Sequence, residues 1–143
     1  MSEIDIEVKG LIELQRKTEQ MIADLRGAPI LDAMRDSVLI VTRGAKQNAP
    51  VDTGRLRASI TPGVSETSDG AEGVVGSNVE YAPYQEFGTG EYSLAISGFR
   101  RMVRRFLKRG GIRPKLYLTR AFKDKEDAIK QRFDRALNEA VKK

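Results

Sequence analysis

A chain of 143 residues with 40% hydrophobic and 31% charged positions is long enough for one domain with a modest core and too apolar for global disorder. It contains no Cys, no His and no Trp, which excludes disulfides, thiolate chemistry and the commonest neutral-pH base and zinc ligand. The formal charge of +5 assists contact with nucleic acid or an acidic partner without specifying either.

No apolar run approaches the roughly 20 residues that cross a bilayer, so no membrane association is expected. The acidic start, Met1-Ser2-Glu3-Ile4-Asp5, lacks the basic segment and apolar run of a secretory signal. A reducing cytoplasm is the expected place of synthesis, with later departure inside a particle left open.

Ile4, Ile6 and Val8 alternate with Asp5, Glu7 and Lys9. That pattern predicts a short half-buried strand, interrupted by Gly10. Helical spacing follows, with Leu11, Leu14, Met21, Ile22 and Leu25 on one face and Thr18 among them; Gly27 is the expected stop. These apolar residues are expected to serve packing. The charges opposite the stripe put this helix outside the sheet, or against a neighbouring subunit.

A second helix is predicted from near Pro29, which suits a first helical turn, to near Asn48, because Pro50 makes continuation costly. Leu31, Met34, Val38, Val41 and Ala45 form its apolar face. Gly44 and Ala45 are small enough for a close crossing.

After Pro50, Asp52 can accept backbone donors in a turn, and Gly54 can take backbone angles closed to other residues. Leu56, Ala58 and Ile60 alternate with Arg55, Arg57, Ser59 and Thr61, predicting a strand. Pro62-Gly63 interrupts it, although Val64 can continue it after a bend. Ser65 to Gly70 reads as a turn, and Gly73-Val74-Val75-Gly76 as the return strand. Asp52-Thr53-Gly54 also invites an aspartic-protease reading. That chemistry needs two apposed carboxylates, hence a symmetric dimer here, and the flanking residues are wrong for it; a structural turn is the better reading.

Tyr81, Tyr84 and Phe87 recur at short-helix spacing, with Ala82-Pro83 as a start and Gly88 as a stop. Opposite charge suggests that Glu86 pairs with Arg55 or Arg57. Glu80 and Glu86 are not forced together by their spacing, and general acid/base work is not expected of them.

No acidic residue occurs from Ser97 to Lys115, where Arg100, Arg101, Arg104, Arg105, Lys108, Arg109, Arg113 and Lys115 alternate with Phe99, Met102, Val103, Phe106 and Leu107. An amphipathic helix is predicted from Gly98 to Arg109, ended by Gly110-Gly111. It is expected to be mobile before assembly. Its basic face can be solvated, contact an acidic neighbour, or bind DNA phosphates without reading sequence; a membrane-surface role ranks below these. A last long helix is predicted from about Leu118 toward Val141. Leu118, Phe122, Ile129, Phe133, Leu137 and Val141 form its main stripe, aided by Ala121, Ala128 and Ala140, and most of that stripe is expected to pack within the subunit.

Pro50-Val51-Asp52-Thr53-Gly54-Arg55-Leu56-Arg57 followed by Tyr81-Ala82-Pro83-Tyr84-Gln85-Glu86-Phe87-Gly88 resembles the minor tail or tail-completion family of long-tailed bacteriophages, proteins of the head–tail joining region. The similarity continues into Arg113-Pro114-Lys115-Leu116-Tyr117-Leu118, where the family carries a proline-aromatic motif before a final helix. Here that motif is more polar, and Arg120-Ala121 stands where a second proline is common.

The resemblance implies an α+β fold, a small antiparallel sheet packed with helices that include a long C-terminal one. One domain is expected over 1–143, with a basic insertion at about 88–113. It implies a virion structural subunit that completes the tail or joins it to the head connector, with a head-side connector, a tail-tube terminator or a basic non-specific DNA-binding protein as alternatives. No catalytic, cofactor or metal residues are implied. Pro50, Asp52, Thr53, Gly54, Arg55, Leu56, Tyr81, Ala82, Tyr84, Glu86, Gly88 and Pro114 would be its structural motif residues. The expected partners are further copies of the chain, as a ring with a hexamer suggested by the symmetry of the tail tube, and the tail tube, tail terminator or head connector. The expected location is the tail or head–tail junction, with the host cytoplasm during assembly.

Overall fold

The computed structural model describes residues 3–92 and 110–142, with the side chains of 3–9, 25–26 and 91 left aside. In chain order the elements are α1 (Glu3–Arg26), α2 (Ala28–Asn48), α3 (Arg55–Ser59), β1 (Thr61–Thr67), β2 (Gly70–Gly76), α4 (Ala82–Phe87), a 3-10 turn (Gly90–Tyr92) and α5 (Tyr117–Val141). The fold is α+β, a two-stranded antiparallel sheet packed with helices.

The two long helices α2 and α5 pack on each other and form its spine. They come close where Gly44 meets Ala121: a Cβ on Gly44 would lie 3.2 Å from the Ala121 Cβ. The expected close crossing is therefore real, and small residues permit it. Val41, Ala45, Ala49, Leu56, Ile60, Val79, Ala82, Tyr117 and Ala121 make the core. Ser37 and Thr42 also face inward, and their hydroxyls donate to the carbonyls of Ala33 and Val38, each at 2.6 Å. Burial therefore leaves neither hydroxyl unsatisfied.

β1 and β2 pair in register from Thr61 opposite Gly76 to Thr67 opposite Gly70. A hairpin of two strands is marginal alone and needs a surface to rest on. Here α2 supplies it: a Cβ on Gly73 would meet Met34 Sδ and Val38 Cγ1, both at 2.6 Å. The strand continues through Pro62-Gly63, contrary to the expected interruption, because β1 has a single neighbour and Pro62 stands next to its first residue. The turn is correspondingly narrower than expected, with Ser65, Glu66 and Thr67 still paired.

Three further expectations are corrected. The predicted strand at Ile4–Val8 is the first part of α1. A three-residue alternation is a weak signal, and a helix satisfies its backbone groups internally where a lone strand cannot. Gly10 weakens that helix without ending it. The predicted strand at Leu56–Ile60 is the helical turn α3: Leu56 and Ile60 are buried while Ala58 is exposed, a period of four. Gly54 at φ 80 redirects the chain, and its carbonyl accepts the Ala58 N–H at 3.0 Å.

The third correction concerns α5, whose buried residues are Tyr117, Ala121, Ala136 and Ala140. Of the expected stripe, Ala121 and Ala140 are buried as expected, Leu118, Ala128, Ile129 and Phe133 are only partly buried, and Phe122, Leu137 and Val141 are exposed. The tight approach of α2 leaves room for methyl groups at the contact and displaces the bulky side chains to its flank. Within the subunit the α1 stripe is uncovered, for every residue from Gly10 to Asp24 is exposed. The helix predicted over Gly98–Arg109 lies outside the described residues.

Candidate assembly surface

The loop after α2 and the first turn of α4 converge. Pro50, Val51, Asp52, Thr53, Gly54, Arg55 and Leu56 line one side of a cleft of about 540 Å³, and Tyr81 and Gln85 line the other. Leu56 is its buried anchor, while Val51, Asp52, Thr53 and Arg55 are exposed. The Thr53 Oγ1 accepts the Arg55 N–H at 3.4 Å. A second tie brings the two segments into register: the Ser59 and Ser77 hydroxyls lie 2.6 Å apart, and Ser77 Oγ accepts the Val79 N–H at 3.1 Å.

The other side of α4 is tied to α5. Glu86 is only 3% exposed. Its Oε2 accepts the Leu118 N–H at 2.9 Å, and its Oε1 accepts the Thr119 N–H at 2.9 Å and the Thr119 hydroxyl at 2.6 Å. The α5 N-cap position is Leu116, left-handed at φ 52, with no capping side chain. Glu86 supplies from another helix the acceptors that Leu116 lacks, and its negative charge suits a helix N-terminus. The expected pairing of Glu86 with Arg55 or Arg57 is therefore corrected: no ion pair joins them among the described residues, and the carboxylate is committed to α5. Burial, and secondarily the Glu86 charge, push the Tyr117 hydroxyl up from 10.0 to about 12.

Backbone bonds complete this clasp. The Lys115 N–H donates to the Gln85 carbonyl at 2.8 Å, and the Leu116 N–H to the Glu86 carbonyl at 3.2 Å. The Thr89 N–H donates to the Ile112 carbonyl at 2.9 Å, and Thr89 Oγ1 accepts the Ile112 N–H at 2.9 Å. Gly88 fits because its φ is 76 and a Cβ there would lie 2.7 Å from the Ile112 oxygen and 2.9 Å from Pro114 Cδ. The motif around α4 thus does two jobs: Tyr81 and Gln85 face the cleft, while Ala82, Glu86 and Gly88 are buried and hold the start of α5.

Residues 13–88 match the family model described as "Bacteriophage HK97-gp10, putative tail-component", more than half of the chain. The chain belongs to this bacteriophage tail-component family. No curated protein and no solved structure matches it. The matched stretch of this tail component contains both sides of the cleft and ends at Gly88, the residue at which the chain leaves α4 for the loop that meets Ile112 and Pro114. Membership assigns a structural role in tail assembly.

Of the basic residues singled out in the sequence, those described are Lys115 and Arg113, both exposed. The Arg113 guanidinium carbon sits 5.2 Å from the centroid of the Tyr92 ring, a cation–π distance. Arg100, Arg101, Arg104, Arg105, Lys108 and Arg109 lie outside the described residues. Among the described residues no group of acidic side chains could hold a metal ion, and no helix is long and apolar enough to cross a membrane. Asp52 is exposed on the cleft rim.

The role of Glu86 escaped the sequence reading. A usable signal was present, since the start of α5 at Leu116-Tyr117 carries no Ser, Thr, Asp or Asn in the capping position and so calls for an acceptor from elsewhere.

Proposed function

We propose that this tail component is a subunit that completes the tail or joins it to the head connector. It works as a homo-oligomeric ring, for which a hexamer matches the symmetry expected of a tail tube, and its contacts are with the tail tube, tail terminator or head connector. The observation that carries this reading is the single cleft formed by two motifs that lie about 30 residues apart in the family-matched stretch. Exposed Asp52, Thr53 and Arg55 beside Tyr81 offer a partner loop charge, hydrogen bonds and an aromatic surface.

The test is in vitro joining of tails and heads taken from particles that lack this protein. Added wild-type protein should restore infectious particles. The double substitution Asp52→Ala with Arg55→Ala, at two exposed positions of the cleft, should leave the thermal unfolding midpoint nearly unchanged and lower the yield at least tenfold. Full rescue by that variant would contradict a working role for the cleft, and failure of the wild-type protein would contradict the joining role itself.

The second reading is phosphate contact with DNA, favoured by the absence of acidic residues from Ser97 to Lys115. It predicts salt-sensitive DNA binding that weakens when Arg100, Arg101, Arg104 and Arg105 are replaced.

A further inference from the structure

α1 is a helix of 24 residues with no covered face among the described side chains of Gly10 to Asp24. From Gly10 to Asp24 every residue is exposed, including Leu11 at 66% and Ile22 at 42%. Helices of this kind draw most of their stability from packing of the apolar face. Yet α1 only brushes α2 and α5 of its own domain.

The same chain carries an apolar groove of about 360 Å³ between α2, β2 and α5, lined by Met34, Val38, Val75, Phe122, Ile129 and Phe133 among others. Phe122 stands 55% exposed on its edge. The α5 wall runs from Leu118 to Phe133, about 22 Å, and the α2 wall from Met34 to Val41, about 10 Å, against about 17 Å for the α1 stripe from Leu11 to Ile22.

α1 is poorly placed to fold back into its own groove. Only Gly27 separates it from α2, whereas an antiparallel helix pair takes a loop of about 2–5 residues. Gly27 is itself held by helical hydrogen bonds, its N–H donating to the Asp24 carbonyl and its carbonyl accepting the Leu31 N–H, both at 3.4 Å. The summed charges of the two partners are opposite in sign. α1 holds six acidic and four basic residues, and α2 with α5 holds nine basic and seven acidic.

We infer that α1 of one copy lies in the α2–β2–α5 groove of a neighbouring copy. The inference rests on the reading that the chain self-assembles, and it names the contact. Such a contact is heterologous, using two different surfaces of each subunit, so it propagates head to tail and closes where the rotation allows. It is a helix-in-groove interface whose anchors are Leu11, Leu14, Met21 and Ile22.

The chain's lack of cysteine makes the test direct. Two single-cysteine proteins, Leu14→Cys and Phe122→Cys, are mixed at a concentration where native mass measurement shows oligomers, then treated with a short bis-maleimide. Both positions are exposed, so the fold should tolerate them. The expected product is a covalent dimer that needs both variants, with each alone giving at most a tenth of that yield. Efficient coupling of Leu14→Cys to itself would overturn the inference in favour of an α1–α1 coiled coil. Coupling within one chain, in a protein carrying both Leu14→Cys and Phe122→Cys at a concentration where it is monomeric, would overturn it in favour of self-occupation. Independently, Leu14→Asp should weaken association at least tenfold while leaving the monomer's unfolding transition in place; unchanged association would also overturn it. An oligomer without this crosslink sinks the contact alone, whereas the joining assay decides the functional reading separately.

Discussion

The Glu86 carboxylate accepts both the backbone N–H of Thr119, at 2.9 Å, and its hydroxyl, at 2.6 Å, across 33 residues of sequence. Together with the bond from Leu118, this makes a six-residue helix the cap of a 25-residue one. It also couples the cleft to the spine, because α4 contributes to both.

Glu86→Ala should therefore cost more than a surface substitution. It leaves two N–H groups at the start of α5 without their acceptor, an expected loss of about 1–3 kcal/mol. Denaturant unfolding measures it. Glu86→Gln keeps one acceptor oxygen and should lose less. A change below about 0.5 kcal/mol in the alanine variant, the range of ordinary surface substitutions, would contradict the capping role.

Stability should fall in strong alkali for a reason specific to Tyr117. Its folded-state pKa is raised from 10.0 to about 12, so between those values the unfolded chain releases a proton that the folded chain retains. The unfolded state gains by that release, and the contribution present below pH 10 is lost as pH rises toward 12. Tyr117→Phe should flatten this part of the stability–pH curve, seen as the difference between the two proteins. Parallel curves from pH 9 to 12 would contradict the assignment.

Two glycines should respond with opposite signs. Gly88→Ala forces a side chain into φ 76 and into contact with Ile112 and Pro114, and should destabilise by at least about 1 kcal/mol. Gly10 sits inside α1 with open space where a Cβ would point. Gly10→Ala should raise helicity by circular dichroism and add about 0.5–1 kcal/mol to the local helix. The same sign for both would contradict the geometry given for α1 and the α4 exit.

The sequence was most legible where backbone chemistry punctuates it. Pro29 and Pro50 bracket α2, Ala82-Pro83 and Gly88 bracket α4, and the glycines of β2 mark the return strand. It was ambiguous where two periods fit the same few residues: Leu56 and Ile60 are inward in a strand and in a helical turn alike, and only Ala58 distinguishes them. It misled in part at α5, where hydrophobicity points to Phe122 and Leu137, which are exposed, while small Ala121 makes the close contact with Gly44. The acceptor role of Glu86 depends on a partner more than 30 residues away, beyond the reach of local pattern. At the cleft, the motif residues were visible in the sequence, but their meeting in space was not.

The most direct test of the account is where this tail component sits in a finished particle. Particles assembled with a labelled version, imaged at single-particle resolution, should carry the label in several copies at one locus, the head–tail junction or the adjoining end of the tail. Label spread along the whole tail tube, or confined to the head interior with the DNA, would contradict it.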